Sequence, residues 1–447
     1  MGARRTAAAT LGLAAGLLLL LAVANLEGAS AGKYSPSDPL NRLTFGSCND
    51  QKRRDEQSIW HAILAGRPDV WLWLGDNIYA DTKINSFPKE FKSATIDQMR
   101  AMYDKQRSVP EYVELRKSVG KIVGTWDDHD YGLDDSGKEL PWKRESQELL
   151  MNFLDVPKDS PLRSREGVYN SHVFGPEGKR VKLIILDTRY HRDPIFSDGD
   201  MLGEAQWRWL EHELVSSDAQ FNLIASSIQY VPNHHVTLCP LCDIEQSPFR
   251  VETWSHYPTE KKRLGRIISE NEVEGVMILS GDVHFGEILV SDPTCIAPYR
   301  LYELTSSGMT HSAADSFPAL PLQIMKMVSP NLFSLGMYLS KNFGTVDFDW
   351  EGEAPSATLA VRDHSGHVVL RKRVSLDELK MGSRDSEGIP ASCGDEASLH
   401  WAVRCRFCIV LGTLFLLTVF LVHYVISSLL ALLRYRFVRK GEIKKKK

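Results

Sequence analysis

Five short apolar runs in this chain each lead directly into residues that can bind a metal ion or transfer a proton. The runs are rich in β-branched and aromatic residues and have the length of buried strands. Side chains at the carboxyl ends of neighbouring strands lie at one edge of an α/β sheet, where such sheets bind ligands. The pattern therefore predicts an α/β domain with one site built by several loops, which follow the runs 43–45, 70–74, 122–126, 181–186 and 276–280.

Two segments with helical periodicity and one further apolar run complete the predicted elements of this domain. Apolar residues recur at helical spacing in 57–64 and in 204–214, and 221–226 has the composition of a buried strand. Residues 357–374 alternate in polarity around a turn, which predicts a β-hairpin. The alternation of strands and helices favours an α/β domain, to which we assign residues 40–376.

The amino terminus has the pattern of a secretory signal peptide. Arg4 and Arg5 precede an apolar run from residue 7 to residue 24, and three small residues follow at 29–31. This is the order of charge, apolar stretch and cleavage site that such peptides share. We predict that residues 1–31 are removed, with an uncleaved amino-terminal anchor as the alternative.

A second long apolar stretch lies near the carboxyl terminus. Residues 407–433 contain no Asp, Glu, Lys or Arg, and as a helix they would span roughly 40 Å, enough to cross a membrane. Basic residues are more numerous after the stretch than before it, so the positive-inside rule places residues 434–447 in the cytosol. The sequence thus predicts a single-pass type I membrane protein with a lumenal linker at 377–406.

The last four residues, 444–447, are all lysine. Lysines at the third and fourth positions from a cytosolic carboxyl terminus resemble a dilysine retrieval signal, which predicts residence in the endoplasmic-reticulum membrane. The alternative is a stop-transfer cluster that contacts anionic lipid. The formal net charge of −4 argues against nucleic acid as a partner.

The residue types at the strand ends match the needs of a centre with two metal ions. Carboxylates and imidazoles suit divalent ions, whereas phenolate and thiolate suit ferric iron. Two ions about 3.5–4 Å apart share a carboxylate, lower the pKa of a bridging water and clamp a phosphate group. An arginine at the same edge would add two-pronged recognition of phosphate.

Eight short motifs occur in this chain in a characteristic order, at 45–48, 75–79, 126–130, 186–189, 206–210, 281–284, 304–308 and 342–344. The ordered set resembles the PhoD-type alkaline phosphatase D family, a branch of the calcineurin-like metallophosphoesterases. The resemblance runs from about Arg42 to Val374. It implies a four-layer α/β/β/α sandwich, in which two mixed sheets pack face to face with helices outside.

The same resemblance implies a centre of Fe³⁺ and Ca²⁺ and assigns roles to particular residues. The implied metal ligands are Cys48, Asp76, Tyr79, Asp128, Asp282 and His284. The ferric ion would be held by Cys48, Asp76, Tyr79 and Asp282, and the two aspartates would also reach the second ion. His129 would contact the phosphate or assist the leaving group, and Arg189 would bind the phosphate.

These features predict a phosphoric ester hydrolase in which a metal-bound hydroxide attacks the phosphorus in line. Membrane anchoring favours a lipid or glycolipid head group as the substrate, with a phosphodiesterase of soluble nucleotides as the runner-up. Two rival hypotheses are an inactive binding module with the same fold and a redox role for Cys48. The chain departs from many relatives at 133–135, where Leu-Asp-Asp stands in place of Asn-Asn, and this bears on the ion held there.

Overall fold

The structure of this chain is a computed structural model that describes residues 34–86, 89–195, 197, 199–232, 252–291, 296–316, 333–383 and 396–445. The predicted signal peptide lies outside the described residues. The strands are β1 (Arg42–Gly46), β2 (Val70–Leu74), β3 (Thr82–Ser86), β4 (Lys89–Lys92), β5 (Lys121–Thr125), β6 (Asn170–Phe174), β7 (Val181–Ile185), β8 (Phe221–Ala225), β9 (Val276–Ser280), β10 (Gly286–Val290), β11 (Tyr302–Ser306), β12 (Ser334–Tyr338), β13 (Asn342–Asp349), β14 (Ser356–Asp363) and β15 (Val368–Ser375).

The helices lie mainly between the strands. They are α1 (Ile59–Ala65), α2 (Ile96–Arg107), α3 (Pro110–Ser118), α4 (Asp128–Tyr131), α5 (Lys143–Phe153), α6 (Glu204–Val215), α7 (Pro258–Glu270), α8 (Ala313–Ser316) and α9 (Glu396–Lys445). Short 3₁₀ helices occur at Asp55–Ser58, Pro161–Arg163, Trp254–His256 and Leu376–Leu379.

Two sheets of six and seven strands form the body of the described structure. The six-stranded sheet has the order β15-β14-β13-β1-β2-β5, and the seven-stranded sheet has the order β12-β10-β11-β9-β8-β7-β6. β1, β2 and β5 run parallel, as do β7, β8, β9 and β11. Parallel neighbours bring their carboxyl ends to the same edge, so each sheet presents its connecting loops together.

The structure confirms the strands predicted from the six apolar runs, which are β1, β2, β5, β7, β8 and β9. It also confirms the hairpin β14–β15 and the two helices α1 and α6. β2, β7, β8 and β9 are buried at every position, which explains why their sequences are largely apolar instead of alternating. The chain therefore has the mixed α/β fold that the sequence predicted.

The core of the described domain joins both sheets. Phe45 and Leu72 of the first sheet belong to the same buried cluster as Leu183 and Leu279 of the second. A second cluster packs on the other side of β2, where the ring of Trp60 meets Trp71 and Trp73 edge-on at 4.9 and 5.3 Å between centroids. Aromatic pairs of this geometry stabilise packing beyond simple burial, so β2 is held firmly where its loop begins.

The carboxyl ends of the two sheets approach each other closely. Thr125 Oγ1, at the end of β5, donates to the carbonyl of Leu186 beyond β7 at 2.8 Å. Gly75 has φ of 93°, and a Cβ built on it would lie 2.6 Å from Asp127 Cβ and 3.2 Å from Ser227 Cβ. Glycine alone tolerates both the conformation and the crowding. Loops from both sheets can therefore reach one common site.

The carboxyl-terminal helix α9 contains an apolar stretch of 25 residues, Cys408–Leu432, with a mean hydropathy of 2.5 and no burial against the rest of the described chain. At 1.5 Å per residue this stretch is about 38 Å long, enough to cross a hydrocarbon core of about 30 Å. The helix begins at Glu396 and ends at Lys445, beyond both ends of the predicted span. By length and composition it is a candidate membrane anchor.

Candidate metal centre

Four of the predicted site residues have a backbone conformation that residues other than glycine rarely adopt. The φ angle is 58° at Cys48, 48° at Asp76, 68° at Asp282 and 59° at His284. Cys48 follows β1, Asp76 follows β2, and the other two follow β9. Such values are typical of functional sites, where the surrounding fold holds a strained backbone in order to place a side chain.

Cys48, Asp76, Tyr79 and His284 converge on one point, and we call them the donor group. Three ligand atoms, one each from Cys48, Asp76 and His284, lie within 4.8 Å of one another. The Cys48 Sγ donates to Asp76 Oδ2 at 3.4 Å, and the Tyr79 hydroxyl donates to the same oxygen at 2.9 Å. The Tyr79 oxygen also lies 3.2 Å from His284 Nε2. A thiol, a carboxyl, a phenol and an imidazole thus face one another.

Asp76 belongs to a second group as well, together with Asp128 and His129. One ligand atom from each of these three residues lies within 4.8 Å of the other two. Asp76 Oδ1 accepts a hydrogen bond from the main-chain N–H of His129 at 3.3 Å, whereas Oδ2 faces the donor group. The two groups therefore share one carboxylate, as two bridged metal ions require.

His129 is held in place by contacts on several sides. Its Nδ1 lies 2.7 Å from Asp81 Oδ1, and its ring packs on Tyr79 at 4.2 Å and on Phe91 at 5.2 Å between centroids. An ionised carboxylate can only accept, so Asp81 favours the proton on Nδ1. Burial alone would lower the pKa of His129, but the neighbouring carboxylates, Asp128 first, outweigh it and raise the pKa.

Asp282 contacts the donor group through its backbone. Its carbonyl oxygen lies 3.5 Å from the Cys48 Sγ. Burial, followed by the charges of nearby acids, raises the pKa of the Asp282 carboxyl well above its usual value. Among the described residues three groups have ligand atoms within 4.8 Å of one another, and the third group is Asp128, Asp135 and Glu252. The carboxyl of Asp282 belongs to none of these three groups.

Arg189 lies in a buried network with Asp127, Arg192 and Glu252, which we call the arginine cluster. The Nε of Arg189 donates to Asp127 Oδ1 at 2.5 Å, and its Nη2 donates to Glu252 Oε2 at 2.5 Å. The Nη1 of Arg192 donates to Glu252 Oε1 at 2.6 Å. Arg189 is fully buried, and its Nη1 has no hydrogen-bond partner among the described residues. Two carboxylates thus fix this guanidinium, and no residue in the described part of the chain bonds to its Nη1.

The two carboxyls of the arginine cluster differ in pKa although both contact Arg189. Burial raises the pKa of Asp127 to about 7, because Arg189 offsets only part of the desolvation and Asp128 lies close by. Burial also acts to raise the pKa of Glu252, but Arg189 and Arg192 together lower it to about 2. Glu252 is therefore ionised at neutral pH, since it lies between two cations.

Burial raises the pKa of each acid in the donor group, Cys48, Asp76 and Tyr79, and the neighbouring carboxyl charges raise it further for the thiol and the phenol. Removal of these groups from water favours their neutral forms. A bound cation would reverse that preference, because metals bind the thiolate, carboxylate and phenolate forms. The donor set therefore fits a metal ion.

The loop after β11 braces the donor group, and sequence reasoning gave its residues no role. Ser307 Oγ accepts from the His284 N–H at 2.9 Å and lies 3.0 Å from the Cys48 Sγ. The Ser307 hydroxyl hydrogen is thus available to the sulfur. The His311 ring packs on His284 at 4.5 Å and on Tyr79 at 4.9 Å.

The missed residues differ in whether the sequence could have revealed them. Ser307 and His311 follow a strand, so the rule that located the other loops applies to them too. Glu252 does not directly follow any strand that the structure describes, and it lies at the site because Thr253 pairs with Gln229 beyond β8. That pairing is visible only in the folded chain.

Comparisons with known proteins agree with the geometry. The PhoD-like phosphatase family profile matches residues 43–353. Over 288 residues the chain is 27% identical to alkaline phosphatase D of Bacillus subtilis (strain 168), a match that covers 55% of this chain and only 46% of that protein. The chain thus spans about half the length of this curated relative.

A solved structure of PhoD has the same fold as this chain. It aligns with a TM-score of 0.58 and 17% sequence identity, and it covers 83% of this chain and 78% of that chain. This supports the mixed α/β architecture and, together with the family match over well over half of the chain, confirms the resemblance inferred from the motifs. The chain belongs to the PhoD-like phosphatase family.

Proposed function

We propose that this protein is a metal-dependent hydrolase of phosphoric esters. The observation that carries the proposal is Asp76, whose carboxylate belongs both to the donor group and to the group with Asp128 and His129. A carboxylate shared by two ligand sets of different character supports a centre of two unlike ions. Membership of the PhoD-like phosphatase family supports the same activity.

The donor group is proposed to hold Fe³⁺, with Asp282 as a further ligand, and the carboxyl of Asp128 is proposed to hold Ca²⁺. Asp128 Oδ2 accepts from the main-chain N–H of Asp135 at 2.7 Å, and this orients the carboxylate. Oxygen ligands suit Ca²⁺, and the thiol of Cys48 does not. When bound, the two ions would activate a water molecule and neutralise the charge that develops on the phosphate.

His129 is proposed to give a proton to the departing alcohol. Asp81 binds its Nδ1 and Tyr79 packs against its ring, so the direction of Nε2 is fixed. An imidazole held in this way can hold or release a proton at a defined place. The hydrogen bond to Asp81 also stabilises the protonated ring.

Arg189 is proposed to bind the phosphate through Nη1. Its Nε and Nη2 are bonded to Asp127 and Glu252, so the guanidinium is already oriented before a substrate arrives. A buried and fixed donor stabilises developing negative charge without reorganisation. Among the described residues Nη1 has no hydrogen-bond partner, which supports this role.

The finer features of architecture and location belong to the same proposal. The contacts between the two sheets in one core support a four-layer α/β/β/α arrangement. The apolar stretch of α9 supports a type I membrane anchor with a lumenal catalytic domain, and the terminal lysines support retrieval to the endoplasmic reticulum. An enzyme anchored in this way would meet phosphate esters of lipid or glycolipid head groups.

The test of the proposed function combines metal content with hydrolysis. The full-length chain is purified in detergent, its metals are measured by mass spectrometry, and p-nitrophenyl phosphate and bis(p-nitrophenyl) phosphate are assayed as monoester and diester. We expect iron and calcium near one equivalent each, and hydrolysis of at least one ester. Cys48→Ala should lose iron and activity, whereas Cys405→Ala, in α9, should keep both. A folded protein without metal or hydrolysis, even after reconstitution, would support the inactive binding module instead.

A further inference from the structure

The two-stranded hairpin β3–β4 stands beside His129 and has no role in the chemistry proposed above. Its first strand begins at Thr82, directly after Asp81, the carboxylate that binds the imidazole. Its second strand carries Phe91, whose ring lies 5.2 Å from that of His129. Both strands of the hairpin thus lie next to a residue that contacts the histidine, or carry one.

The ring of Phe91 lies further out than the imidazole that it contacts. Phe91 is partly exposed, whereas His129 is only 6% exposed. The strand register places Lys83 opposite Phe91, and directly opposed residues share a face of a hairpin. Lys92 lies on the other face, because successive residues of a strand alternate. One face of the hairpin therefore presents an aromatic ring beside His129.

The hairpin also carries an exposed apolar residue away from regular pairing. The register shifts between Lys83 and Asn85, so Ile84 is an extra residue in the first strand, and it is 60% exposed. Bulges of this kind redirect neighbouring side chains and are common beside active sites. Ile84 provides a matched apolar residue on the same hairpin for comparison with Phe91.

We infer that Phe91 is a specificity-determining residue, which contacts the alcohol part of the phosphate ester and favours aromatic and apolar alcohols. The inference rests on the proposed function, because it takes His129 as the group nearest the departing oxygen. An atom that receives a proton from His129 lies within hydrogen-bond distance of the imidazole, and Phe91 flanks that imidazole. The exposed part of the ring can stack on an apolar substituent, and a small alcohol gains nothing from it.

The test compares the binding of two phosphonates that cannot be hydrolysed at an ester bond. Phenylphosphonate carries a ring beside its phosphorus, and methylphosphonate has the same charge without a ring. Their affinities for the metal-loaded full-length chain are measured by calorimetry. The unsubstituted protein should prefer phenylphosphonate, and Phe91→Ala should reduce that preference about tenfold while the affinity for methylphosphonate changes by less than about twofold. Phe91→Tyr should retain the preference, and Ile84→Ala should leave both affinities unchanged.

The outcomes separate the two proposals. Equal loss of both affinities in Phe91→Ala, or a preference that does not change, would overturn the role of Phe91 and leave the proposed function standing. No binding of either phosphonate by the unsubstituted protein would overturn the proposed function, and the inference with it. Thermal melting of each variant checks that the fold is intact, which the partly exposed position of Phe91 leads us to expect.

Discussion

The donor group and the arginine cluster are both buried and both polar, yet they balance their charges differently. The arginine cluster pairs two carboxylates, Asp127 and Glu252, with two guanidinium groups. The donor group combines a thiol, a carboxyl and a phenol, and its one basic member is His284. Glu252 is therefore ionised between its two guanidinium partners, whereas the donor group needs protons or an added cation.

The difference shows how the surroundings set the pKa of a buried acid. Glu252 has a lowered pKa because two cations surround it, and Asp76 has a raised pKa because burial outweighs the charge of His129. A balanced buried network resists the loss of any member, since each loss leaves an unpaired charge. A buried group of acids without compensating cations, such as the donor group, is stabilised most when a metal ion binds. Removal of a carboxylate from the arginine cluster should therefore lower the free energy of unfolding. Removal of the shared carboxylate from the donor group should abolish activity without destabilising the metal-free protein.

The largest expected effect is on activity, from Asp76→Asn. The variant removes the carboxylate that both metal groups share, so we expect loss of both ions and a fall in kcat/KM of about 1,000-fold or more, the equivalent of roughly 4 kcal/mol. The free energy of unfolding of the metal-free protein should stay the same or rise, because a buried carboxyl with a raised pKa is replaced by a neutral amide. Metal analysis, kinetics and urea unfolding check the three parts. A variant that keeps its metals and its activity would break the comparison.

Glu252→Gln should have the next largest effect, and that effect is on folding. It leaves Arg189 and Arg192 without a shared carboxylate, so the free energy of unfolding of the metal-free protein should fall by about 3 kcal/mol. Urea unfolding followed by tryptophan fluorescence measures it. Glu204→Gln is the matched control, because Glu204 pairs with Arg263 at the surface, and it should change stability little. Equal effects of the two substitutions would mean that the arginine cluster contributes no more than a surface pair.

The pH dependence of stability sharpens the same point. Glu252 has a pKa of about 2 in the folded protein against 4.5 ordinarily, so its stabilising contribution is complete above pH 4.5 and is lost as the pH falls through about 2. The stability difference between the unsubstituted protein and Glu252→Gln should therefore shrink as the pH falls from 4.5 towards 2. Unfolding curves at a series of pH values test this. A constant difference would show that Glu252 acts through packing and not through its charge.

Ser307→Ala should have the smallest effect and should act on the donor group alone. The variant removes the hydroxyl beside the Cys48 sulfur, and outer contacts of this kind change metal affinity by about tenfold or somewhat more. Competition with a chelator measures iron affinity, while the free energy of unfolding should change little. Ser291→Ala is the control, because Ser291 is equally buried but bonds to Leu301 instead. An equal loss of iron in both variants would remove any special role for Ser307.

Four of the strands that the sequence revealed, β2, β7, β8 and β9, are buried on both faces. Their sequences are largely apolar because helices or the other sheet cover them on each side. β6 and β12 lie at the edges of the seven-stranded sheet and mix buried with partly exposed positions. Their short and irregular patterns do not distinguish a strand from a loop. These two edge strands could therefore not be located without the neighbours that pair with them.

The site was predictable to the extent that strand ends determine it. The rule led to Cys48, Asp76 and His284, which the structure brings together. It could not show that Arg189 is enclosed by two carboxylates, because one of them, Glu252, comes from a distant loop. The roles assigned to all of the predicted site residues remain predictions, which the metal analysis and the variants above test.

The positive φ angles at Cys48, Asp76, Asp282 and His284 have a consequence for protein engineering. Each such position costs about 1–3 kcal/mol of backbone strain, which glycine would relieve. A redesign that optimised the sequence for this backbone by thermostability alone would therefore favour glycine at these four positions. The redesigned protein would be more stable but would lack four side chains of the proposed metal centre. Any redesign for stability must therefore keep these four residues unchanged.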